Sequence, residues 1–283
     1  MSQTLGSSVA PANLIRLTGG LECETYAFRA MQRRFVVKVY LHNGEGAMTE
    51  FENLAIVASA GVPTPDPVLL DAHGEWFHVP ALVMTAVPGG PDLHPADLHR
   101  WHHGAATALA AIHDVAPDRA SVVRPTRWER WRPSTEAVGT DTSRVDRALS
   151  RFYDQAGDVP TVFSHDDYNL GNILFHNGRL SGVVDWADVT VEPRHAAVAL
   201  YRHLLAVHPG GDAPDQFLEE YERAAATRLE DLPLWDVFYG LRGTGTVDHW
   251  ARAFDGLGVH VTPSQIQARS RDWIRRALSH LSM

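Results

Sequence analysis

Alternating apolar and polar positions near the N-terminus predict two adjacent β-strands. In FVVKVY, residues 35–40, every second side chain falls on the same face. Lys38 therefore shares a face with a valine and a tyrosine, and the opposite face is wholly apolar. An earlier β-type run covers about 24–30, and the arginines at 33 and 34 mark the hairpin between the two strands.

The apolar spacing changes to a helical period in the next segment. Residues 47–60 carry an apolar stripe at intervals of three and four, which predicts a helix. The proline-rich segment at 61–67 ends this helix and begins an extended stretch. A further apolar run predicts a strand over 76–87, closed by PGGP at 88–91.

Beyond residue 95 the pattern is mostly helical. The predicted helices cover 95–114, 142–156, 194–208, 214–229, 233–254 and 263–282. We therefore expect an α+β protein with a small β-rich lobe at 1–87 and a larger helical lobe at 88–283.

Composition excludes several classes of protein. The chain has 283 residues and a formal net charge of −9 at pH 7, whereas a nucleic-acid-binding domain presents a basic face. No apolar run approaches the length of a membrane span, and the first residues lack the pattern of a signal peptide. The one cysteine excludes an intrachain disulfide. We expect a cytoplasmic protein without nucleic-acid or membrane partners. The sequence makes no prediction about the oligomeric state.

One basic residue differs from all the others. The chain has 25 basic residues, and Lys38 is the only lysine among them. A lysine at the edge of a strand often does no more than extend its ammonium to solvent. A chain that uses arginine everywhere else has little reason to keep such a lysine, so the pattern favours a specific role for Lys38.

The segment FSHDDYNLGNILFHNGRLSGVVDW, residues 163–186, brings together several polar residues. Asn-Gly at 177–178 lies between two apolar runs and predicts a β-hairpin with a type I′ turn. Pairing of 173–176 with 179–182 would place Ile173 opposite Gly182, and Asn172 and Asp185 at the same end of the hairpin. Amide and carboxylate oxygens, completed by phosphate and water, suit Mg²⁺.

Asp167 precedes Asn172 by five residues, in the spacing His-x-Asp-x-x-x-x-Asn. This is the spacing of the catalytic loop that transfers phosphoryl groups in kinases, where the Asp receives or orients the acceptor hydroxyl. Asp166 competes for this role, but the spacing favours Asp167. His165 is better suited to support the loop by hydrogen bonding. A single Asp or Asn in such a loop usually closes a turn; here the combination favours chemistry.

These motifs resemble those of the aminoglycoside phosphotransferase family of protein-kinase-like small-molecule kinases. HDDYNLGN, from His165 to Asn172, resembles the family's catalytic loop, and VVDW at 183–186 resembles its metal motif. LTGGLECETYAF resembles its nucleotide loop, TEFENLAIVASAGVPTP its Glu-bearing helix, and LVMTAVPGG its hinge. The resemblance covers roughly 14–205 and implies a bilobal kinase-like fold that binds ATP, or GTP, between the lobes.

The resemblance also implies roles for individual residues. Lys38 would contact the α- and β-phosphates and pair with an acidic residue of the first helix. For this partner we select Glu50 over Glu52, because helical spacing places Glu50 at the edge of the apolar stripe and Glu52 away from it. The remaining nucleotide contacts would come from Gly19 and Gly20 in the nucleotide loop and from the hinge backbone, including Met84 and Ala86. Two departures from the family pattern stand out: Asp166 replaces a glycine, and Ala197 replaces an aspartate that supports the loop.

The acceptor is the least determined part of the prediction. The resemblance places its site among the helices of the larger lobe and the loop after the metal Asp. Candidates are Asp188, Glu192, Asp236, Asp248 and Trp250. Such an acidic, aromatic site would suit a hydroxylated polycation such as an aminoglycoside. Alternatives are a kinase of a sugar, homoserine or choline, a metal-dependent phosphoesterase, and a non-catalytic nucleotide-binding module.

Overall fold

A computed structural model describes residues 14–17, 23–30, 32–41, 44–120, 126–135 and 142–281. The strands are β1 Ile15–Arg16, β2 Cys23–Ala30, β3 Arg33–Tyr40, β4 Pro67–Asp71, β5 Ala81–Thr85, β6 Thr161–Ser164, β7 Ile173–His176, β8 Arg179–Val183 and β9 Thr190–Pro193. The α-helices are α1 Glu45–Ser59, α2 Leu98–His113, α3 Arg127–Arg130, α4 Thr142–Gln155, α5 Arg194–Val207, α6 Ala213–Ala224, α7 Leu232–Gly245, α8 Val247–Gly256 and α9 Pro263–Ser279. The predicted α+β class, with a β-rich N-terminal part and a mostly helical larger part, is confirmed.

The N-terminal strands form one antiparallel sheet in the order β1-β2-β3-β5-β4. Strand β3 alternates as predicted. Phe35 and Val37 pack in a small cluster on one face, and Tyr40 joins the main core on the other. Helix α1 covers this second face and contacts β3, β4 and β5. The sheet therefore holds Lys38 on the side that faces α1.

Several predicted element boundaries are wrong, and the helix predicted at 214–229 already ends at Ala224. Arg33 and Arg34 open strand β3 instead of forming the turn before it. The strand predicted at 76–87 begins only at Ala81, because the Asp71 carboxylate accepts backbone N–H bonds from residues 75–77 and folds them into a turn. The single helix predicted at 233–254 is two helices that meet at Thr246.

The lobes are joined along the β7–β8 hairpin. Gly90, just after β5, exchanges two backbone hydrogen bonds with Phe175 of β7, at 3.1 and 2.8 Å. On the other strand, the Val183 N–H donates to the Pro63 carbonyl at 2.8 Å, and the Thr64 hydroxyl donates to the Val183 carbonyl at 3.0 Å. The segment after α1 and the segment after β5 are thus both bonded to this hairpin. The boundary predicted at 87/88 stays a prediction and lies between β5 and α2.

The larger lobe is built around α5 and α7, whose side chains are almost all buried. Helices α6 and α9 pack against this pair, and α2 packs against α6. Strands β6 and β9 form a two-stranded antiparallel sheet, and β6 leads directly into the segment that begins at His165. None of the described helices is both long and apolar enough to cross a membrane.

Candidate active site

Lys38 and Glu50 form a buried ion pair between β3 and α1. The Lys38 ammonium lies 2.7 and 2.9 Å from the two carboxylate oxygens of Glu50. Glu50 is 1% exposed, whereas Glu52 points to solvent. Lys38 thus pairs with Glu50 and not with Glu52; the role of the pair towards a nucleotide stays a prediction.

Two further groups hold the Glu50 carboxylate. The Tyr40 hydroxyl donates to one oxygen, and the backbone N–H of Trp186 lies 3.3 Å from the other. Tyr40 follows Lys38 by two residues on the same face of β3, so one strand supplies both contacts. Sequence reasoning placed Tyr40 on this face without assigning it a role. A buried carboxylate needs polar partners, and these contacts hold the Glu50 carboxylate in place. Glu50 in turn holds the Lys38 ammonium beside it.

Asp185 brings the larger lobe to the same ammonium. Its Oδ1 lies 2.6 Å from Lys38 Nζ, and its side chain is 44% exposed. Lys38 holds the pKa of Asp185 below its ordinary value, so this carboxylate stays ionised. Burial alone would lower the pKa of Lys38, but Glu50 and Asp185 outweigh it and raise that pKa. Lys38 and Asp185 are therefore both charged at neutral pH.

The local backbone explains how Asp185 reaches the cleft. Asp185 has φ 69° and ψ 66°, a left-handed conformation. It lies two residues after the end of β8 and directly before a short 3₁₀ turn over 186–188. That turn is anchored on α1 by a hydrogen bond from the Asn53 amide to the Trp186 carbonyl, 2.9 Å long. Asn53 is a buried polar residue on the apolar side of α1, and that pattern could have marked it in the sequence.

The hairpin itself differs by one residue from the predicted register. Ile173 lies opposite Val183, not Gly182. The register shifts between Leu174 and Phe175 of β7, where β8 carries Ser181 as an extra, bulged residue. The turn is as predicted, with positive φ at both Asn177 and Gly178. The shift keeps Asn172 and Asp185 at the same end, where the Val184 N–H donates to the Asn172 carbonyl at 2.9 Å.

Asp167 lies next to this end of the hairpin. Its Oδ2 accepts hydrogen bonds from the side-chain amides of Asn169, at 2.8 Å, and Asn172, at 3.1 Å. A second bond runs from the Asn172 amide to the Asp167 carbonyl at 3.0 Å. These bonds orient the carboxylate and join the predicted base to a predicted metal ligand. The contribution of Asn169 was not predicted.

His165 supports the loop, as predicted. Its ring is fully buried, packs on Trp186 with ring centres 4.6 Å apart, and lies 2.9 Å from the Val184 carbonyl through Nε2. Because a carbonyl only accepts, Nε2 carries the proton. The histidine therefore ties the segment containing Asp167 to the residue before Asp185.

The remaining predicted nucleotide contacts are placed as follows. Gly19 and Gly20 lie outside the described residues. Met84 is a buried residue of β5 that pairs with β3. The Ala86 N–H donates to the Arg34 carbonyl at 3.0 Å, so this predicted hinge donor is already used within the sheet. The Ala86 N–H is therefore not available to a nucleotide in this conformation.

The predicted acceptor residues do not all meet at one place. Glu192 is buried and accepts a hydrogen bond from the Ser164 hydroxyl at 2.7 Å, and Asp236 is buried in an ion pair with Arg202 at 3.0 Å. Both carboxylates are engaged within the protein, so the structure does not support them as acceptor ligands. Asp188 is half-buried three residues after Asp185, whereas Asp248 is exposed on α8 and Trp250 is buried there.

Two cavities occur elsewhere in the larger lobe. The first has a volume of about 400 Å³ and is lined by residues that include His195 and Trp235. The second, about 260 Å³, lies beside Arg202 and Trp273, and Asp236 lines it. Neither cavity is lined by Lys38, Asp167 or Asp185. Asp236 is thus grouped with a cavity separate from the cleft.

The sequence from residue 13 to residue 241 matches the family model described as the phosphotransferase enzyme family. The chain belongs to this family. Two curated proteins are similar in sequence. Homoserine kinase of Polaromonas naphthalenivorans (strain CJ2) is 26% identical over 198 residues, 62% of this chain and 59% of that protein. Acyl-CoA dehydrogenase family member 10 of Mus musculus is 23% identical over 216 residues, 68% of this chain and 20% of that protein. Each match thus spans less than two thirds of the relative's length.

Solved structures of aminoglycoside and macrolide phosphotransferases share the fold. The apo form of a thermostable mutant of aminoglycoside phosphotransferase APH(4)-Ia has a TM-score of 0.65 at 18% identity, covering 97% of each chain. A further variant of that mutant, in a ternary complex with AMP-PNP and hygromycin B, has a TM-score of 0.63 at 20% identity, covering 98% of this chain and 96% of that one. Macrolide 2'-phosphotransferase MphH from Brachybacterium faecium has a TM-score of 0.62 at 16% identity, covering 100% and 97%. The predicted protein-kinase-like fold is confirmed.

Proposed function

We propose that this chain transfers the terminal phosphoryl group of ATP, or of GTP, to a hydroxyl group of a small molecule. One observation carries the proposal: the Lys38–Glu50–Asp185 cluster lies beside the Asp167–Asn172 pair. His165 and the Asn172 carbonyl, both bonded to Val184, hold the two groups together. A cation for phosphates and a positioned carboxylate are the parts that phosphoryl transfer needs.

Asn172 and Asp185 fit the metal that the family implies. The Asn172 amide nitrogen donates to Asp167, which leaves the amide oxygen to face a cation, and the ionised Asp185 carboxylate is partly exposed. No group of three or more His, Cys, Asp or Glu that could hold a metal occurs in the described part of the chain. Two oxygen ligands, completed by phosphates and water, are what Mg²⁺ commonly uses. When bound there, Mg²⁺ would neutralise charge on the phosphates.

The side chains of the protein divide the remaining work. Asp167, held by Asn169 and Asn172, orients the acceptor hydroxyl and receives its proton as the oxygen attacks the terminal phosphorus and the bond from that phosphorus to the departing nucleoside diphosphate breaks. Lys38, fixed by Glu50, places an ammonium against the phosphates as a compact point charge. Both groups are oriented before substrate binds, which reduces the entropy lost on reaching the transition state.

We propose an aminoglycoside or a related antibiotic as the acceptor, so that the enzyme would confer resistance from the cytoplasm. The shared fold with aminoglycoside and macrolide phosphotransferases and the net charge of −9 support this choice. Asp188, Asp248 and Trp250 are the candidate contacts that remain. The sequence similarity to homoserine kinase supports a second candidate, a metabolic alcohol that carries an amino group.

An acceptor-dependent ADP-release assay tests the function. The panel would contain aminoglycosides, macrolides, homoserine, choline and sugars, each with ATP or GTP and Mg²⁺. We expect release with at least one class, and none with Asp167→Asn, which should still bind nucleotide. Lys38→Ala should lose nucleotide binding, a result that a phosphoesterase would not show. Nucleotide binding without turnover on any acceptor, with Asp167→Asn equal to wild type, would identify a non-catalytic module instead.

A further inference from the structure

Asp166 occupies an unfavourable backbone conformation directly before the proposed base. Its φ is 52°, and the Asp167 N–H donates to the His165 carbonyl at 2.6 Å, so Asp166 is the centre of a three-residue turn. Positive φ is costly for a residue with a Cβ atom, although Asp tolerates it better than most. Glycine would make the same turn without this cost. A non-glycine residue keeps such a conformation only where its surroundings stabilise it.

The Asp166 carboxylate is buried beside a guanidinium. Asp166 is 6% exposed, and its Oδ2 lies 3.8 Å from Nη2 of Arg130. An ionised carboxylate removed from water requires compensating charge or hydrogen bonds. Arg130 supplies positive charge from a part of the chain 36 residues earlier, with its own side chain 56% exposed.

The segment that carries Arg130, residues 126–132, is attached to the helical core. Thr126 donates to the Glu129 carboxylate from both its N–H and its hydroxyl, which closes the short helix α3. Two tryptophans of the segment pack edge-on against aromatic rings of the core. These contacts are Trp128 with Phe152 and Trp235, at 6.1 and 6.0 Å, and Trp131 with Phe238, at 5.5 Å. The helical core thus sets the position of Arg130.

We propose that Arg130 and Asp166 are paired positioning residues that hold the turn before Asp167, so that the carboxylate of Asp167 faces the acceptor. The turn at Asp166 directs the backbone into Asp167, and a change in its φ re-aims the next side chain. Arg130 favours the strained turn because it attracts the buried carboxylate towards the core segment. The activity arm of the test rests on the proposed function.

The decisive experiment is a double-mutant cycle with Arg130→Gln and Asp166→Gly. Arg130→Gln removes a cation from beside a buried carboxylate, and we expect kcat to fall about tenfold while the nucleotide KM changes less than about twofold. Asp166→Gly removes both the charge and the strain. In that background Arg130→Gln should cost less than about twofold in kcat. An equal cost of Arg130→Gln in both backgrounds would overturn the pairing.

Hydrogen exchange provides a readout that does not depend on the acceptor. Exchange measured over residues 163–172 should accelerate in Arg130→Gln but not when Asp166→Gly is also present. Arg147→Gln, at an exposed arginine of α4, is the matched control and should leave exchange in this segment unchanged. Unchanged exchange in Arg130→Gln would refute the positioning role. If no acceptor is turned over but the exchange cycle behaves as expected, the proposed function fails and the structural pairing stands.

Discussion

The buried Lys38–Glu50 pair makes a specific prediction about stability. Glu50→Gln keeps the size of the side chain and an acceptor oxygen for the Trp186 N–H, but it removes the negative charge. The Lys38 ammonium then retains the Asp185 carboxylate, at 2.6 Å, and that side chain is 44% exposed. A buried cation that loses its fully buried counter-charge is destabilised.

The size of the effect follows from burial. Removing one partner of a buried ion pair costs about 3–5 kcal/mol. Glu50 is 1% exposed, which places it in this class, while Asp185 compensates part of the loss. We expect the lower end, about 3 kcal/mol of unfolding free energy. For a chain of this length that lowers the Tm by roughly 5 °C.

Urea unfolding followed by circular dichroism, with a parallel thermal melt, would measure this loss. Glu52→Gln is the matched control, because Glu52 lies two residues away on the exposed side of α1. It should change the unfolding free energy by less than about 0.5 kcal/mol. The reasoning fails if Glu50→Gln unfolds at the same urea concentration and with the same slope as Glu52→Gln.

Other substitutions test separate features. Gly89→Ala should destabilise the protein by about 3 kcal/mol in urea unfolding. Gly89 has φ +89°, and a Cβ there would lie 1.9 Å from the Phe175 carbonyl oxygen. Gly90→Ala is the control and should be near neutral, because its Cβ would meet nothing within 4 Å. Lys38→Arg keeps the charge but should lower kcat/KM at least about tenfold, since the larger guanidinium does not fit the buried site. Arg34→Lys is the control, because Arg34 is exposed on the same strand, and it should leave kcat/KM unchanged. Burial lowers the pKa of His203 to about 3, as it does for His113, and that of His102 to about 4. Between about pH 6.5 and 4 the unfolded chain binds protons that the folded chain does not, so stability falls as the pH falls, by about 1.4 kcal/mol per pH unit for each histidine. His203→Gln should reduce that slope by one such increment, and an unchanged slope would contradict the assignment.

Local patterns in the sequence account for much of the site. Strand alternation placed Lys38 and Tyr40 on one face of β3, and helical spacing separated Glu50 from Glu52. The Asn-Gly turn located the hairpin and brought Asn172 and Asp185 to one end. These inferences succeed because each depends on residues close together in the chain, where backbone period and turn chemistry decide the geometry.

The errors arise where a tertiary contact or a single extra residue decides. The bulge at Ser181 changes the register without changing the apolar pattern of β8. Asp71 shortens a predicted strand because its carboxylate binds three backbone N–H groups that a strand would have used. Asp236 was predicted as an acceptor ligand, but it is paired with Arg202. Arg202 lies 34 residues away in sequence, and no local pattern connects the two residues.

The β7–β8 hairpin is bonded to both lobes, and this constrains how the cleft can open. Pro63 and Gly90 are hydrogen-bonded to Val183 and Phe175 of the hairpin. His165 is hydrogen-bonded to Val184, directly after β8. A hinge motion that parted the lobes as rigid bodies would have to rupture one of these sets. The hairpin also packs against α2 of the larger lobe, so a motion of this kind would break either that packing or the bonds to Pro63 and Gly90.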